Sequence, residues 1–333
     1  MDPPVPLYRR LKFWLVCLGL GLCVSACRQP LQEESEPPEP VSVEAGATLL
    51  KRLAPSVHLP GGLFLMGNDQ SGKSEERPAH EVELDPFSID IYEVTNQQFR
   101  LFVEATGYVT SAEKRGWSYL FDEKQKGWVR MPGANWRTPF PVDPTTRSGD
   151  SWVYWPVVHV SWDDADAYCR WAERRLPTEA QWEHAARGGL IDCEYPWGNT
   201  REPQGKFLAN YWQGWFPEEN LGLDGFLFLA PVGSFPKNGY GLYDMAGNAA
   251  EWCRDDYDPA FYLNSPRKNP IRTSPVGESA FDPVFKVVRG GSFLSAENAD
   301  TGYRVSARLG QSQEMSFVNI GFRTVGEAPP QTQ

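Results

Sequence analysis

Polar caps followed by amphipathic segments predict three short helices in the middle of the chain. Thr95 and Thr178 are each followed three residues later by glutamine, the spacing of a capping box, and Ser161 precedes a third amphipathic segment. In that third segment the apolar positions recur on one helical face at intervals of three and four residues. The predicted helices run from 96 towards Gly107, over 162–174, and from 179 to a stop at Gly188-Gly189.

Short apolar runs on either side of these helices predict strands. They lie at 63–66, 81–89, 285–289 and 319–323 and are separated by long loops rich in Gly, Pro, Asn and Trp. Strands before, between and after a few helices indicate an α+β domain rather than a doubly wound sheet. The chain has 18 Phe, 13 Trp and 13 Tyr beside 30 Gly and 29 Pro. We therefore expect one compact, loop-rich domain with an aromatic core over 55–327.

The first 27 residues have the pattern of a secretory signal of the lipoprotein type. A basic segment precedes the apolar run Phe13–Val24, which is shorter than the roughly 20 apolar residues that span a bilayer. Val24-Ser-Ala-Cys27 resembles a bacterial lipobox, so we predict lipidation of Cys27 and an exported protein anchored in the cell envelope, facing the periplasm or the cell surface. An ordinary signal peptide cleaved nearby is the alternative, and Arg9-Arg10 also suggests a twin-arginine export route.

Charge and composition narrow the range of partners. Residues 28–54 are acidic, Pro-rich and poor in apolar side chains, which predicts an extended tether, and residues 328–333 form a short tail. The formal net charge of −11 argues against nucleic acid and against adhesion to anionic lipid headgroups. We therefore expect a protein or peptide partner, with the lipid anchor as the only membrane contact.

Several segments of the predicted domain, spread over almost its whole length, occur together in one order. They include Leu59-Pro-Gly-Gly-Leu-Phe-Leu-Met-Gly67, Glu76-Arg-Pro-Ala-His80, Gly133-Ala-Asn-Trp-Arg137, Arg175-Leu-Pro-Thr-Glu-Ala-Gln-Trp-Glu183, Gly247-Asn-Ala-Ala-Glu-Trp252 and Arg289-Gly-Gly-Ser292. This set resembles the formylglycine-generating enzyme family, also called the sulfatase-modifying factor domain. The resemblance implies that family's compact, C-type-lectin-like α+β fold.

The resemblance also implies two structural calcium sites that join loops. The first would use Asn210, the carbonyl of Tyr211, Asp224 and the carbonyl of Phe226; the second would use Asp244, the carbonyls of Gly247 and Ala249, and Glu251. Calcium binds such mixtures of carboxylate and carbonyl oxygens. The alternative is that these side chains only form turns and caps. The four histidines show no zinc or iron spacing, and His159, in an apolar run, is expected to be a core residue.

Two positions after the Arg-Gly-Gly-Ser element decide what the resemblance implies about catalysis. Active members oxidise a cysteine of a client sulfatase and bind copper through two cysteines five residues apart. Those positions here are Ser295 and Asp300. Because copper(I) prefers thiolates over hydroxyl and carboxylate ligands, we expect no copper and regard both positions as vestigial. Ala250 replaces the tryptophan usual in the enzymes, and Thr324 stands where the vertebrate enzyme has the cysteine that pairs with Cys169.

We therefore predict a non-catalytic binding or scaffold protein that resembles the cysteine-less members of the family. Ser292, Arg304 and Asn319 are the predicted polar contacts of a peptide groove. Alternatively, Ser292 and Arg304 brace loops and Asn319 caps a strand end. The competing functional hypothesis is a sulfatase-modifying or remodelled oxidoreductase that uses the same cleft. Cys169, Cys193 and Cys253 allow at most one internal disulfide, and the sequence does not choose the pair.

Overall fold

The computed structural model describes residues 54–140, 150–273 and 284–327. The predicted signal peptide with Cys27, residues 28–53 of the predicted tether, and the predicted tail at 328–333 lie outside these ranges. Across the described ranges, no helix combines the length and apolar character needed to cross a bilayer.

Short helices begin at the predicted capping residues. The α-helices are α1 (Asn96–Thr106), α2 (Ser111–Arg115), α3 (Trp162–Trp171) and α4 (Glu179–Arg187), and 3-10 helices cover Ser74–Glu76, Asp150–Tyr154, Pro203–Gly205 and Phe261–Asn264. The capping predictions at Thr95 and Thr178 are confirmed by reciprocal side-chain bonds, and Ser161 forms one as well. Helix α3 ends three residues before the predicted Arg174, because Glu173 has a left-handed φ of 54° that no α-helix accommodates.

The strands are short and form small sheets. They are β1 (Ser56–Leu59), β2 (Gly62–Met66), β3 (His80–Leu84), β4 (Phe87–Asp90), β5 (Trp117–Asp122), β6 (Gly127–Pro132), β7 (Ala250–Asp256), β8 (Phe285–Arg289), β9 (Arg308–Ser312), β10 (Ile320–Gly321) and β11 (Val325–Glu327). Sheet orders are β10-β7-β8-β9, β1-β4-β11, β2-β3 and β5-β6. The single strand predicted at 81–89 is two strands, because Pro86 lies between them and has no N–H for a ladder.

Aromatic side chains fill the interior between α1, α3 and the four-stranded sheet. Phe99 of α1 stacks on Tyr168 of α3 with ring centroids 5.9 Å apart, and Phe322 contacts both rings. Trp252 of β7 is fully buried in the same cluster. His159 is also fully buried and is satisfied by the Ser118 hydroxyl at 2.8 Å and the Pro139 carbonyl at 2.9 Å, so its prediction as a core residue is confirmed.

The described cysteines form no disulfide. Cys169 and Cys253 are buried and Cys193 is partly exposed, and all three thiols are free. Thr324, the position where the resemblance implied a missing cysteine partner for Cys169, donates to the Asp90 carboxylate at 2.6 Å. The guanidinium of Arg174 binds the other oxygen of Asp90 at 2.8 Å, so Thr324 and Arg174 together satisfy this buried carboxylate.

A buried ion-pair network ties α4 to the four-stranded sheet. Arg289, the last residue of β8, binds Glu179 at 2.8 Å and Glu183 at 2.5 Å, and Arg308 of β9 binds Glu179 at 2.7 Å. These four side chains are essentially unexposed, so removing any one would leave an uncompensated buried charge. The network thereby holds the start of the Gly290-Gly291-Ser292 segment in place.

Candidate functional site

A cavity of about 320 Å³ lies over one face of the four-stranded sheet. Its floor combines side chains from all four strands: Ala250, Val288, Leu309, Gln311 and Ile320. Val288 pairs with Leu309 across β8 and β9, and Ala250 pairs with Ile320 across β7 and β10. Ala250 provides only a methyl group to this floor.

The loop that follows β8 brings Ser295 and Asp300, the two positions predicted to be vestigial, together at this cavity. The Ser292 N–H donates to the Ser295 hydroxyl at 3.0 Å, and that hydroxyl donates to the Asp300 carboxylate at 3.3 Å. Gly291 has a φ of 62°, and a Cβ there would lie 2.5 Å from the Gly302 carbonyl carbon, so only glycine fits. Burial raises the pKa of Asp300, opposed by hydrogen bonds from the Gly302 N–H and Ser295.

The surroundings of Ser295 do not make it a nucleophile. No histidine lines the cavity within the described ranges, and the hydroxyl proton of Ser295 is directed at Asp300. A serine nucleophile requires a positioned base that accepts its proton, and histidine is the usual one. The buried His159 has its pKa lowered to about 4 by desolvation and contacts Ser118 instead.

The three predicted groove residues all line the cavity, but their bonding differs. Arg304 forms a bidentate pair with Glu76, with Nη1–Oε2 and Nη2–Oε1 distances of 3.0 and 2.6 Å, so its guanidinium braces the wall. Asn319 donates to the Ser292 hydroxyl at 3.0 Å, whereas its Oδ1 is buried without a hydrogen-bond partner. A buried acceptor without a partner is costly, and a ligand N–H or O–H at this point would satisfy it.

Other cavity residues were not singled out from the sequence as site residues. Lys73, Glu75 and Glu76 come from the segment of the 3-10 helix Ser74–Glu76, more than 200 residues before Arg304 along the chain. Trp128 of β6 is 46% exposed and meets Phe317 edge to face at 5.5 Å, forming an aromatic wall. The family motif Glu76–His80 marked this segment in the sequence, but the motif did not show that Glu76 would contact Arg304.

Two of the predicted ligand oxygens of the first calcium site lie close together in the structure. The Asp224 carboxylate accepts the N–H groups of Tyr211 and Phe226 at 3.1 and 2.9 Å. The amide Nε2 of Gln213 contacts both the Tyr211 carbonyl and Asp224, so these two predicted ligand oxygens face one point. Asn210 is buried next to them and donates to the Phe228 carbonyl at 2.8 Å. A carbonyl and a carboxylate directed at one point fit a hard cation.

The second predicted calcium set lies in a buried acidic cluster. Asp244 accepts the Gly233 N–H at 2.7 Å, and Glu251 binds Arg323 at 2.7 Å and the Trp182 N–H at 2.8 Å. Glu93, not singled out from the sequence, accepts the Ala249 N–H at 3.0 Å. Three buried carboxylates therefore face one guanidinium.

The pKa values of this cluster reflect that imbalance. Burial, followed by the charges of Asp244 and Glu251, raises the pKa of Glu93 well above its ordinary range, and burial raises that of Asp244 to about 6. Among the described residues, no three Asp, Glu, His or Cys side chains are grouped as a metal-ligand set. Each predicted calcium site contains at most two carboxylate side chains, and its remaining predicted ligands are carbonyl oxygens.

Comparison with known proteins places this arrangement in a family. Residues 43–328 match the sulfatase-modifying factor enzyme 1-like domain. The chain belongs to this family. The formylglycine-generating enzyme of Thermomonospora curvata is 43% identical over 289 residues, covering 81% of this chain and 93% of that protein. The mouse protein called inactive C-alpha-formylglycine-generating enzyme 2 is 41% identical over 290 residues, covering 82% and 85%.

Solved structures agree on the fold of this sulfatase-modifying factor domain. PvdO from Pseudomonas aeruginosa superposes with a TM-score of 0.60 at 24% identity, covering 82% of this chain and 94% of that one. Treponema denticola variable protein 1 superposes with a TM-score of 0.57 at 21% identity, covering 82% and 95%. The predicted loop-rich, C-type-lectin-like α+β fold of the formylglycine-generating enzyme type is confirmed. The relatives include proteins named as formylglycine-generating enzymes and proteins named as inactive.

Proposed function

We propose that this chain is a non-catalytic, lipid-anchored member of the sulfatase-modifying factor family whose cavity binds an extended peptide or a loop of a partner protein. The observation that carries the proposal is the chemistry of the cavity wall. Ser295 and Asp300 present a hydroxyl and a carboxylate there, and no thiol lines the cavity within the described ranges. Hard oxygen groups are poor ligands for copper(I), so the copper oxidase chemistry lacks its ligands.

The remaining thiols are unsuited to replace the missing pair. Cys169 and Cys253 are fully buried, and desolvation raises the pKa of both well above that of an ordinary thiol. Cys193 is partly exposed but does not line the cavity. Because the thiolate is the copper ligand and the redox-active form, these environments disfavour both roles.

A copper titration combined with a turnover assay tests the proposal against the oxidoreductase alternative. The wild-type chain should bind no stoichiometric Cu(I) and should produce no formylglycine from a Cys-x-Pro-x-Arg peptide. The matched positive control is the double variant Ser295→Cys/Asp300→Cys, which restores the thiol pair and should gain Cu(I) binding. Stoichiometric Cu(I) binding by the wild type, or turnover of the peptide, would reject the proposal.

The proposal includes two structural calcium ions, one at Asn210, Tyr211, Asp224 and Phe226 and one at Asp244, Gly247, Ala249 and Glu251. The convergence of the Tyr211 carbonyl and Asp224 on Gln213 supports the first ion. The excess of buried carboxylates around Arg323 supports the second, because a divalent cation would offset their repulsion.

The proposal also places the domain at the cell envelope through a lipid on Cys27. A tethered position suits a protein that holds a partner better than one that must reach many clients. Labelling with a fatty-acid analogue should mark the wild type and leave Cys27→Ala unlabelled. Equal labelling of both would remove the anchor from the proposal.

A further inference from the structure

Large apolar side chains are concentrated on the surface of the loop that carries Asp224. The 13 residues from Trp215 to Leu227 hold four of the 15 large apolar side chains that the described residues expose, namely Trp215, Leu221, Leu223 and Leu227. We propose that this apolar loop, defined by these four residues, inserts into the interface of the membrane to which the domain is tethered. The inference rests on the proposed lipid anchor and adds a second membrane contact, where the charge pattern predicted the anchor alone.

Contacts within the apolar loop join its side chains into one patch. A Cβ on Gly214, which precedes Trp215, would lie 3.4 Å from Cγ of Leu221. A Cβ on Gly222 would lie 3.0 Å from Cδ2 of Leu227. Leu221 therefore lies against the backbone beside Trp215, and Leu227 lies against the backbone beside Leu221. Contiguous exposed apolar surface of this kind marks an interaction site, whereas scattered single residues are ordinary.

Polar side chains hold the backbone of the apolar loop in place. Asn298 binds both the N–H and the carbonyl of Phe216, at 3.0 and 2.8 Å. The side-chain oxygen of Asn220 accepts the N–H groups of Gln213 and Gly222, each at 3.2 Å. Because this backbone is already fixed, insertion of the exposed side chains requires little further ordering of the loop.

The residue types of the apolar loop fit the interface of a zwitterionic bilayer. Tryptophan is enriched where a membrane meets water, and leucine is favoured against acyl chains. Between 215 and 227 the chain has no lysine or arginine, and Glu218 and Glu219 follow Trp215 closely. Lys126 forms an ion pair with Glu218, which leaves Glu219 to repel anionic lipid headgroups. The contact we propose is therefore apolar rather than electrostatic.

The predicted tether joins the domain near the apolar loop. Ala54, the first described residue, lines a cavity of about 240 Å³ together with Val232. Val232 follows Leu227 by five residues, which span at most about 18 Å. Ala54 in turn follows Cys27 by 27 residues, which extend to at most about 95 Å. A lipid on Cys27 would thus keep the loop at a high local concentration beside the bilayer.

Quenching of Trp215 by brominated lipids tests this inference. The full-length lipidated chain is reconstituted in phosphatidylcholine vesicles whose acyl chains carry bromine close to the headgroup. Trp215→Phe keeps an apolar ring but removes the indole, so the difference between its emission and that of the wild type isolates Trp215. Brominated lipid should quench at least about half of that difference, because an inserted side chain lies at the boundary of headgroups and acyl chains.

Two leucine variants separate insertion from general effects of charge. Leu221→Glu places a charge in the apolar loop and should reduce the quenching of Trp215 at least about threefold. Leu63→Glu is the matched control: Leu63 is 54% exposed and Leu221 50%, but Leu63 lies on β2, so the quenching should persist. Both variants should keep the melting temperature, because both side chains are exposed. Vesicles that contain phosphatidylglycerol should give no stronger quenching.

The outcomes distinguish the apolar loop from the lipid anchor. If the chain floats with the vesicles but Trp215 is not quenched, or Leu221→Glu leaves the quenching unchanged, the inference is overturned and the anchor remains. Stronger quenching by anionic vesicles also overturns it. A dimer that Leu221→Glu disrupts, without quenching of Trp215, would assign the loop to a second copy of the chain. Quenching that persists in an unlabelled Cys27→Ala chain supports the loop contact and removes the anchor; a wild type that does not float removes both.

Discussion

The pairing of Glu76 with Arg304 yields a sharp prediction about stability. Glu76 is 2% exposed and accepts both guanidinium nitrogens of Arg304 as well as the Ser306 hydroxyl at 2.7 Å. Glu76→Gln keeps the shape but removes the charge and directs an amide N–H towards donors. Arg304 is then buried without a counter-charge.

The expected cost follows from that geometry. Removing one partner of a buried pair typically costs about 3–5 kcal/mol, because the other charge stays desolvated. For a domain of this size that loss corresponds to a melting temperature lower by roughly 6 °C or more. Urea unfolding followed by tryptophan fluorescence measures the change in the free energy of unfolding.

The adjacent residue provides the matched control. Glu75 lines the same cavity and is partly exposed, and among the described residues its carboxylate binds only the neighbouring Ser74 hydroxyl. Glu75→Gln should therefore change stability by less than about 0.5 kcal/mol. The double variant Glu76→Gln/Arg304→Met should recover part of the loss, because no unpaired charge remains. A loss below about 1 kcal/mol for Glu76→Gln would refute the bracing role and return Arg304 to the candidate ligand contacts.

Three further predictions concern calcium, acid and thiols. EDTA should lower the melting temperature, and calcium at about 100 times its Kd should restore about 2.7 kcal/mol; an unchanged melt rejects both sites. Burial lowers the pKa of His184 from 6.5 to about 4. Between these two pH values the unfolded chain binds a proton that the folded chain does not, so the free energy of unfolding falls as the pH drops from 6.5 to about 4. His184→Phe should flatten this fall, whereas a substitution of the exposed His58 should not. In the native domain a thiol reagent should label Cys193 and reach Cys169 and Cys253 only on unfolding; rapid labelling of all three would contradict their burial.

Local features of the fold were predictable from the sequence because they depend on neighbouring residues. A capping box joins positions three residues apart, so Thr95 and Thr178 marked their helices without knowledge of the rest of the chain. The box of Thr110 and Glu113 was missed, because its five-residue helix is too short to show an apolar period. The end of α3 was misplaced, because a left-handed φ at Glu173 leaves no signal in a helical pattern.

The candidate site could be predicted only in part. The family resemblance located Ser295 and Asp300, which lie five residues apart, and the structure places them in one cavity. It did not show that Arg304 is committed to Glu76, which is 228 residues away. It also did not show that Glu93 joins the cluster around Asp244 and Glu251.

The sequence by itself thus determined the α+β class, the helix starts and the identities of Ser295 and Asp300, all of which are local facts or facts of residue identity. The tertiary structure decided which charges neutralise one another and which acceptor stays unpaired. The physical reason is that ion pairing and hydrogen-bond satisfaction depend on distances of about 3 Å between side chains that are remote in the chain. Arg304 could be identified as a candidate groove residue from the sequence, but only the folded structure shows that Glu76 neutralises its charge.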